Sequence, residues 1–138
     1  MAANSGDGRD VLTSDELFRR ASGMVPVLKS RATLTEELRR IPDETVQDFK
    51  SAGLNRIEVP NRFGGLDVDH NLVYEIGAEL ARGCPSASWC YSVWAANAAM
   101  VGYWPLQAQE EVYTGGADVL CSSSLGPGTS KTEPVSGG

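Results

Sequence analysis

Histidine is nearly absent from this 138-residue chain, cysteine is sparse, and basic side chains are outnumbered. The lone histidine, His70, excludes a multi-histidine metal centre. Cys84, Cys90 and Cys121 show no Cys-x-x-Cys spacing and leave one over from any pairing. That usage fits a reducing, cytoplasmic compartment in which thiols serve as small hydrophobes, and no metal site is expected. With 12 Lys+Arg against 18 Asp+Glu the chain carries a net charge of −6, without the basic face that nucleic acid requires. The start, MAANSGDGRDVL, lacks a positive segment followed by an apolar run, so no signal peptide is evident.

Charge is also missing locally. Residues 1–62 hold ten basic and ten acidic side chains, whereas residues 63–138 hold only Arg82 and Lys131 against eight acids. Between Arg82 and Glu110 there is no charge at all, yet this stretch contains all three tryptophans (Trp89, Trp94, Trp104) and two of the four tyrosines. Its length would suffice for a membrane span. However, Ser86, Ser88, Ser92 and Asn97 interrupt it, Ala outnumbers Leu, and no cationic flank follows. A helix enclosed by protein in the middle of a bundle is the better reading, and no membrane partner is expected.

What is present is mostly helical punctuation. A frayed segment over 1–13 gives way at Ser14, which can cap a helix whose stripe begins with Leu17, Phe18 and Ala21. Gly23 and Pro26 interrupt the stripe. Pro26 either kinks one long helix or sits in the first turn of a second, and both readings stay open. Pro42-Asp43-Glu44 reads as a further start, Val46 and Phe49 as its buried face, and Gly53 as a left-handed C-cap. Ile57-Glu58-Val59 reads as a short extended piece before Pro60. Helices follow over about 69–82, from Pro85 to about Trp104, and near 106–113. Then the period changes: residues 118–124 read as a strand, and 131–135 as one that could pair with it. The chain ends on Gly137-Gly138, like a hairpin turn without its return strand.

The expected architecture is therefore mainly α: a helical domain of five or six helices over 14–116, then the first strands of an incomplete β-domain over 117–138. Two stretches could carry chemistry. On the uncharged helix, Ser86, Trp89, Val93, Asn97 and Met100 can share one face, and a buried Asn must find a hydrogen-bond partner or a ligand. At the strand, Ser122, Ser123 and Ser124, followed by glycines, offer hydroxyl and backbone N–H donors to an anionic or polyoxygenated ligand. Neither stretch matches a phosphate loop or a dinucleotide fingerprint. His70, between Asp67 and Asp69, reads as a solvated surface imidazole, and no nucleophilic triad is supported.

The order of five pieces carries a resemblance: IPDETVQDFKSAGL, EVPNRFGGL, ELARGCPSASW, WPLQAQEEVY and LCSSSLGPGT. Over about 17–138 they resemble the N-terminal helical domain and first middle-domain strands of the acyl-CoA dehydrogenase superfamily. Within it they are most similar to the flavin-dependent hydroxylase branch, the oxygenase component of two-component aromatic monooxygenases. The strand decides the branch, because Ser123-Ser124-Leu125-Gly126-Pro127-Gly128 stands where the dehydrogenases usually carry Thr-Glu-Pro-Gly-Ala-Gly-Ser.

The resemblance implies reduced flavin (FMN or FAD) as cofactor, held near Trp89, Ser122, Ser123 and Ser124. It implies a small aromatic or polyketide-type substrate near Asn97 and Ser123, O₂ as co-substrate, an NAD(P)H:flavin reductase as flavin supplier, and a homotetramer. It also implies that these residues need the remaining domains for catalysis, so no catalytic residue is assigned among them. Where many phenol hydroxylases of the branch place a pocket histidine, eight residues past the tryptophan, this chain has Asn97, which cannot act as an acid or base near neutral pH. Two other readings stand beside this one: a portion of an acyl-CoA dehydrogenase-like flavoenzyme, and a non-catalytic helical interaction domain.

Overall fold

The computed structural model describes residues 12–66 and 68–122, and among them it shows helices only. The first, α1 (Ser14–Ser30), is capped by Thr13, not Ser14: the Thr13 Oγ1 accepts the Glu16 N–H at 3.2 Å. Of the two readings at Pro26, the structure takes the single helix, which runs through the proline. Proline removes one backbone hydrogen bond, but burial of Leu17, Ala21 and Leu28 along the same helix offsets that loss.

Helix α2 (Ala32–Leu38) ends on Arg39 in the left-handed region, and α3 (Asp43–Ser51) follows Pro42. Gly53 takes φ 80°, as its C-cap position predicts. Arg31, at the start of α2, donates to Asp48 at 2.6 Å and to Thr45 at 3.2 Å, locking α2 onto α3.

The extended piece expected at 57–59 is absent. Leu54–Arg56 form a 3-10 turn, Ile57 continues in helical dihedrals, and the Val59 N–H donates to the Arg56 carbonyl at 3.3 Å. Without a neighbouring strand the backbone bonds to itself, and a tight turn lets Leu54, Ile57 and Val59 all go inward. A second 3-10 turn, Asn61–Phe63, leads to α4 (Asn71–Ala81). Pro85 then opens α5 (Pro85–Val101) at its first position, and α6 (Leu106–Val112) follows a turn.

Helix α4 is the centre, with α1 on one side and α5 on another. Leu17, Phe49, Ile76, Leu80 and Tyr91 are among the largest fully buried side chains of the interior they share. Removing each such side chain from water stabilises by roughly 1.5–3 kcal/mol. Ser88 crosses from α5 to donate to the Gly77 carbonyl of α4 at 2.6 Å, so this buried hydroxyl is satisfied. A second, smaller cluster of Val59, Ala98, Val101 and Tyr113 joins the far end of α5 to α6, with the Phe63 ring centroid 5.0 Å from that of Tyr113.

The strand expected from Asp118 is not formed over its described residues, 118–122, which pair with no other strand among the described residues. A strand exists only as part of a ladder, and the partner proposed for it, 131–135, lies outside the described residues, as do Ser123 and Ser124. A long-range bond and apolar packing hold this stretch in place: the Asn55 amide donates to the Asp118 carboxylate at 3.2 Å, and Val119 and Cys121 pack against the second cluster. No helix among the described residues is long and apolar enough to cross a membrane.

Candidate functional site

Helix α5 carries no charge on any side, and only one side of it is covered. Ala87, Ser88, Tyr91, Ala95, Ala98 and Val101 face the interior. On the other side Trp89 is 72% exposed and Met100 46% exposed, with Trp104 in the following turn at 45%. The expectation of a helix enclosed on every side is corrected: its outer face is open in this chain. Large apolar side chains left in water at this density mark a surface that something covers.

The outer face lies along two separate clefts. The first, about 350 Å³, is lined by Asn97, Met100, Val101 and Trp104, by Val112 of α6, and by the stretch Val119–Ser122. The sequence-predicted residues Asn97 and Ser122 are therefore brought together. The lining is mostly hydrocarbon and indole, with one amide, one thiol and one hydroxyl. The second cleft, about 490 Å³, holds Trp89 beside Pro85, Ser86 and Cys90 of α5, with Arg39, Arg40 and Ile41 opposite. Trp89 is thus not a neighbour of Asn97. Eight residues of helix separate them by roughly 12 Å along the axis.

Asn97 meets its hydrogen-bonding need within its own helix, its Nδ2 donating to the Val93 carbonyl at 2.8 Å. The carbonyl oxygen of the amide can still accept a bond from a group entering the cleft. Under the cleft floor, the Tyr113 hydroxyl sits 3.9 Å from the Cys121 sulfur. Burial, and then the neighbouring Cys121, push the Tyr113 phenol well above the ordinary tyrosine range, so it stays protonated. Burial likewise raises the Cys90 thiol at the other cleft, which makes it a poor nucleophile near neutral pH.

His70 lines neither cleft. Its Nδ1 lies 2.7 Å from Glu58 Oε1, and the Tyr74 hydroxyl is 3.3 Å from its Nε2, both at the exposed start of α4. Among the described residues no cluster of three or more His, Cys, Asp and Glu is placed to hold a metal ion. Sequence reasoning missed Trp104, Val119 and Leu120 as lining residues. Trp104 carried a signal, since it is the last tryptophan of the uncharged stretch, but its aim depends on a turn that the sequence does not specify.

Comparison with known proteins places this arrangement in a family. The chain is 34% identical over 110 residues to the oxygenase subunit HsaA of a flavin-dependent monooxygenase from Rhodococcus jostii, which covers 80% of this chain and 29% of that protein. It is 29% identical over 122 residues to the oxygenase component of p-hydroxyphenylacetate 3-hydroxylase from Acinetobacter baumannii, covering 88% and 29%. Among solved structures, the HsaA monooxygenase from M. tuberculosis superposes with a TM-score of 0.74 at 30% identity, over 77% of this chain and 28% of that one. The chain thus spans about 29% of the length of the curated relatives named here. The sequence pattern of the acyl-CoA dehydrogenase N-terminal domain matches residues 24–116, from inside α1 to just past α6, and the chain belongs to that family.

Proposed function

We propose that these residues form the N-terminal helical domain of the oxygenase component of a two-component flavin-dependent monooxygenase, which hydroxylates an aromatic or polyketide-type ring. The observation that carries the reading is the cleft at the far end of α5. It combines an apolar, indole-bearing wall with the Asn97 amide and the Ser122 hydroxyl, and the similar proteins are named as the oxygenase subunit of a flavin-dependent monooxygenase and the oxygenase component of a hydroxylase. A reduced flavin is a flat ring system with a polar edge, and the open face of α5 fits such a group: Trp89, Met100 and Trp104 offer broad apolar contact, and Asn97 and Ser122 offer polar partners. Bound there, reduced flavin would supply the electrons that activate O₂.

The residues of this chain then have three tasks. Met100, Val101, Trp104 and Val119 exclude water, which strengthens every polar contact made inside. Asn97 accepts a hydrogen bond from a ring substituent, orienting the ring without taking its proton. Ser122, with Ser123 and Ser124 beyond the described residues, donates to the flavin edge or to the substrate. Trp89, in its own cleft roughly 12 Å along α5, would offer the flavin a second aromatic surface. No carboxylate, imidazole or amine lines the Asn97 cleft. Any proton transfer from the ring therefore falls to other residues.

In this reading an NAD(P)H:flavin reductase supplies the reduced flavin, the full-length protein is a homotetramer, and its place is the cytoplasm. The test is anaerobic titration of the full-length protein with FADH₂ and with FMNH₂, followed by aerated buffer and a phenol. Stoichiometric binding of one of them, then ring hydroxylation, is the expected result. Oxidation of an acyl-CoA thioester in place of O₂-dependent hydroxylation would overturn the reading.

A further inference from the structure

Gln109 is the most buried polar side chain near the Asn97 cleft that does not line it. It lies on α6, 5% exposed, between the exposed residues Gln107, Glu110 and Glu111. Its Nε2 donates twice, to the Gly102 carbonyl at 3.1 Å and to the Trp104 carbonyl at 2.7 Å. Both acceptors belong to the turn between α5 and α6, past the point where the helix can satisfy its own carbonyls. Its Oε1 is buried with no partner among the described residues. An orphaned buried acceptor is destabilising, so what Gln109 contributes is carried by its two N–H bonds.

What they hold is Trp104. The Trp104 N–H donates to the Val101 carbonyl at 3.0 Å, and its carbonyl receives Gln109 at 2.7 Å. The backbone of this residue is therefore fixed on both sides, which fixes the direction of its Cα–Cβ bond and sends the indole to the cleft wall opposite Val119–Ser122. We propose that Gln109 is a positioning residue: by clamping the α5–α6 turn it sets Trp104, and so the width of the cleft open to an entering ring. The clamp itself is independent of what the cleft binds; only the consequence for the entering ring rests on the oxygenase reading.

Two arms keep the two ideas apart. The full-length protein is labelled with 5-fluorotryptophan, and the Trp104 ¹⁹F resonance is assigned by its loss in Trp104→Phe. Gln109→Met, similar in volume but without donors, should shift or broaden the Trp104 resonance and leave that of Trp94 in place. Gln109→Glu should behave likewise at neutral pH. It should recover the wild-type resonance on acidification, because a protonated carboxyl again donates one bond. A Trp104 resonance unmoved in both folded variants overturns the proposal. Failure of both variants to fold, while Trp104→Ala folds, overturns it too, since Gln109 would then brace the whole domain.

The second arm uses phenol as the probe ring in the O₂-dependent assay. Gln109→Met should raise KM about tenfold with kcat changed less than about twofold, and Gln109→Met/Trp104→Ala should match Trp104→Ala alone. Multiplying effects would show that Gln109 does not act through Trp104, and would overturn the proposal. No turnover in the wild-type protein would count against the oxygenase reading instead, and the ¹⁹F arm would still decide the clamp.

Discussion

The two ends of α5 show what a shared helix can be asked to do. Against α4, its inner face is closed: Tyr91 is fully buried, Ser88 is satisfied across the helix pair, and the Phe49 ring stands edge-on to Tyr91 and Trp94 at 6.4 and 6.1 Å. Against α6 and the 117–122 stretch, the same helix meets a thinner cluster and a cleft of about 350 Å³. The interior there is exchanged for a surface with exposed Met100, Trp104 and, at 90%, Tyr103. The α4 side holds the fold and the α6 side presents the site. Substitutions should therefore separate into those that cost stability and those that cost binding.

The largest expected effect is at Phe49. Truncation to alanine leaves a cavity between Tyr91 and Trp94 and should cost about 3–5 kcal/mol, read as a fall in the urea midpoint of the full-length protein. Met100→Ala, on the open face, should cost under about 1 kcal/mol and yet weaken binding in the cleft. Comparable losses from the two would break the division. Next is Gly83, where a Cβ would lie 2.6 Å from the Val25 carbonyl oxygen and 2.8 Å from the Leu28 Cβ. Gly83→Ala should push α1 away from the α4–α5 corner at a cost of about 1–3 kcal/mol.

Much of the closed side was legible from the residues. Pro85 marked the start of α5, Gly53 the end of α3, and the apolar spacing of Leu72, Val73, Ile76 and Leu80 the buried side of α4. These are local signals, and the structure keeps them. Ile57–Val59 misled because branched residues next to a proline favour strands only when a neighbour can pair, and here the backbone turns on itself. The open side was harder. Asn97 was legible as a polar residue among apolar ones, but its partner, the Val93 carbonyl of its own helix, was not. Gln109 gave no signal at all, because between Ala108 and Glu110 it reads as part of a solvated face. Only the turn before it turns that amide inward.

The two tyrosines near the helix pair sharpen the comparison at high pH. Burial, and then the Glu58 charge, raise the Tyr91 phenol above the ordinary value of 10.0, and burial raises Tyr113 likewise. In the unfolded chain both ionise from about pH 10. A folded pKa lying above the unfolded one means stability that is complete below pH 10 and is lost as pH rises beyond it. Tyr91→Phe should flatten that alkaline loss at little cost near neutrality, because the Tyr91 hydroxyl is buried without a hydrogen-bond partner among the described residues. Urea midpoints from pH 8 to 11 for both proteins check this. An alkaline slope unchanged by Tyr91→Phe would assign the loss to Tyr113 and the cleft side.

The smallest effect is expected at the outer edge of the closed side. Glu16 accepts from Arg19 and Arg20, each at 2.7 Å, and these guanidiniums lower its carboxyl from 4.5 to about 2. The sign is opposite to that of the tyrosines: the contribution is present above pH 4.5 and fades as pH falls toward 2. The pair lies at the surface, where solvent and salt screen it, so Glu16→Gln should leave stability near pH 7 almost unmoved. A slightly shallower acid limb between pH 4.5 and 2 should be its only trace. No carboxylate or cation lines the Asn97 cleft, so binding there should be indifferent to the same substitution and to added salt. Salt-dependent binding in the cleft would mean that charges from outside the described residues reach it, and the separation of a charged, fold-holding exterior from an uncharged site would then fail at the point where it is most easily measured.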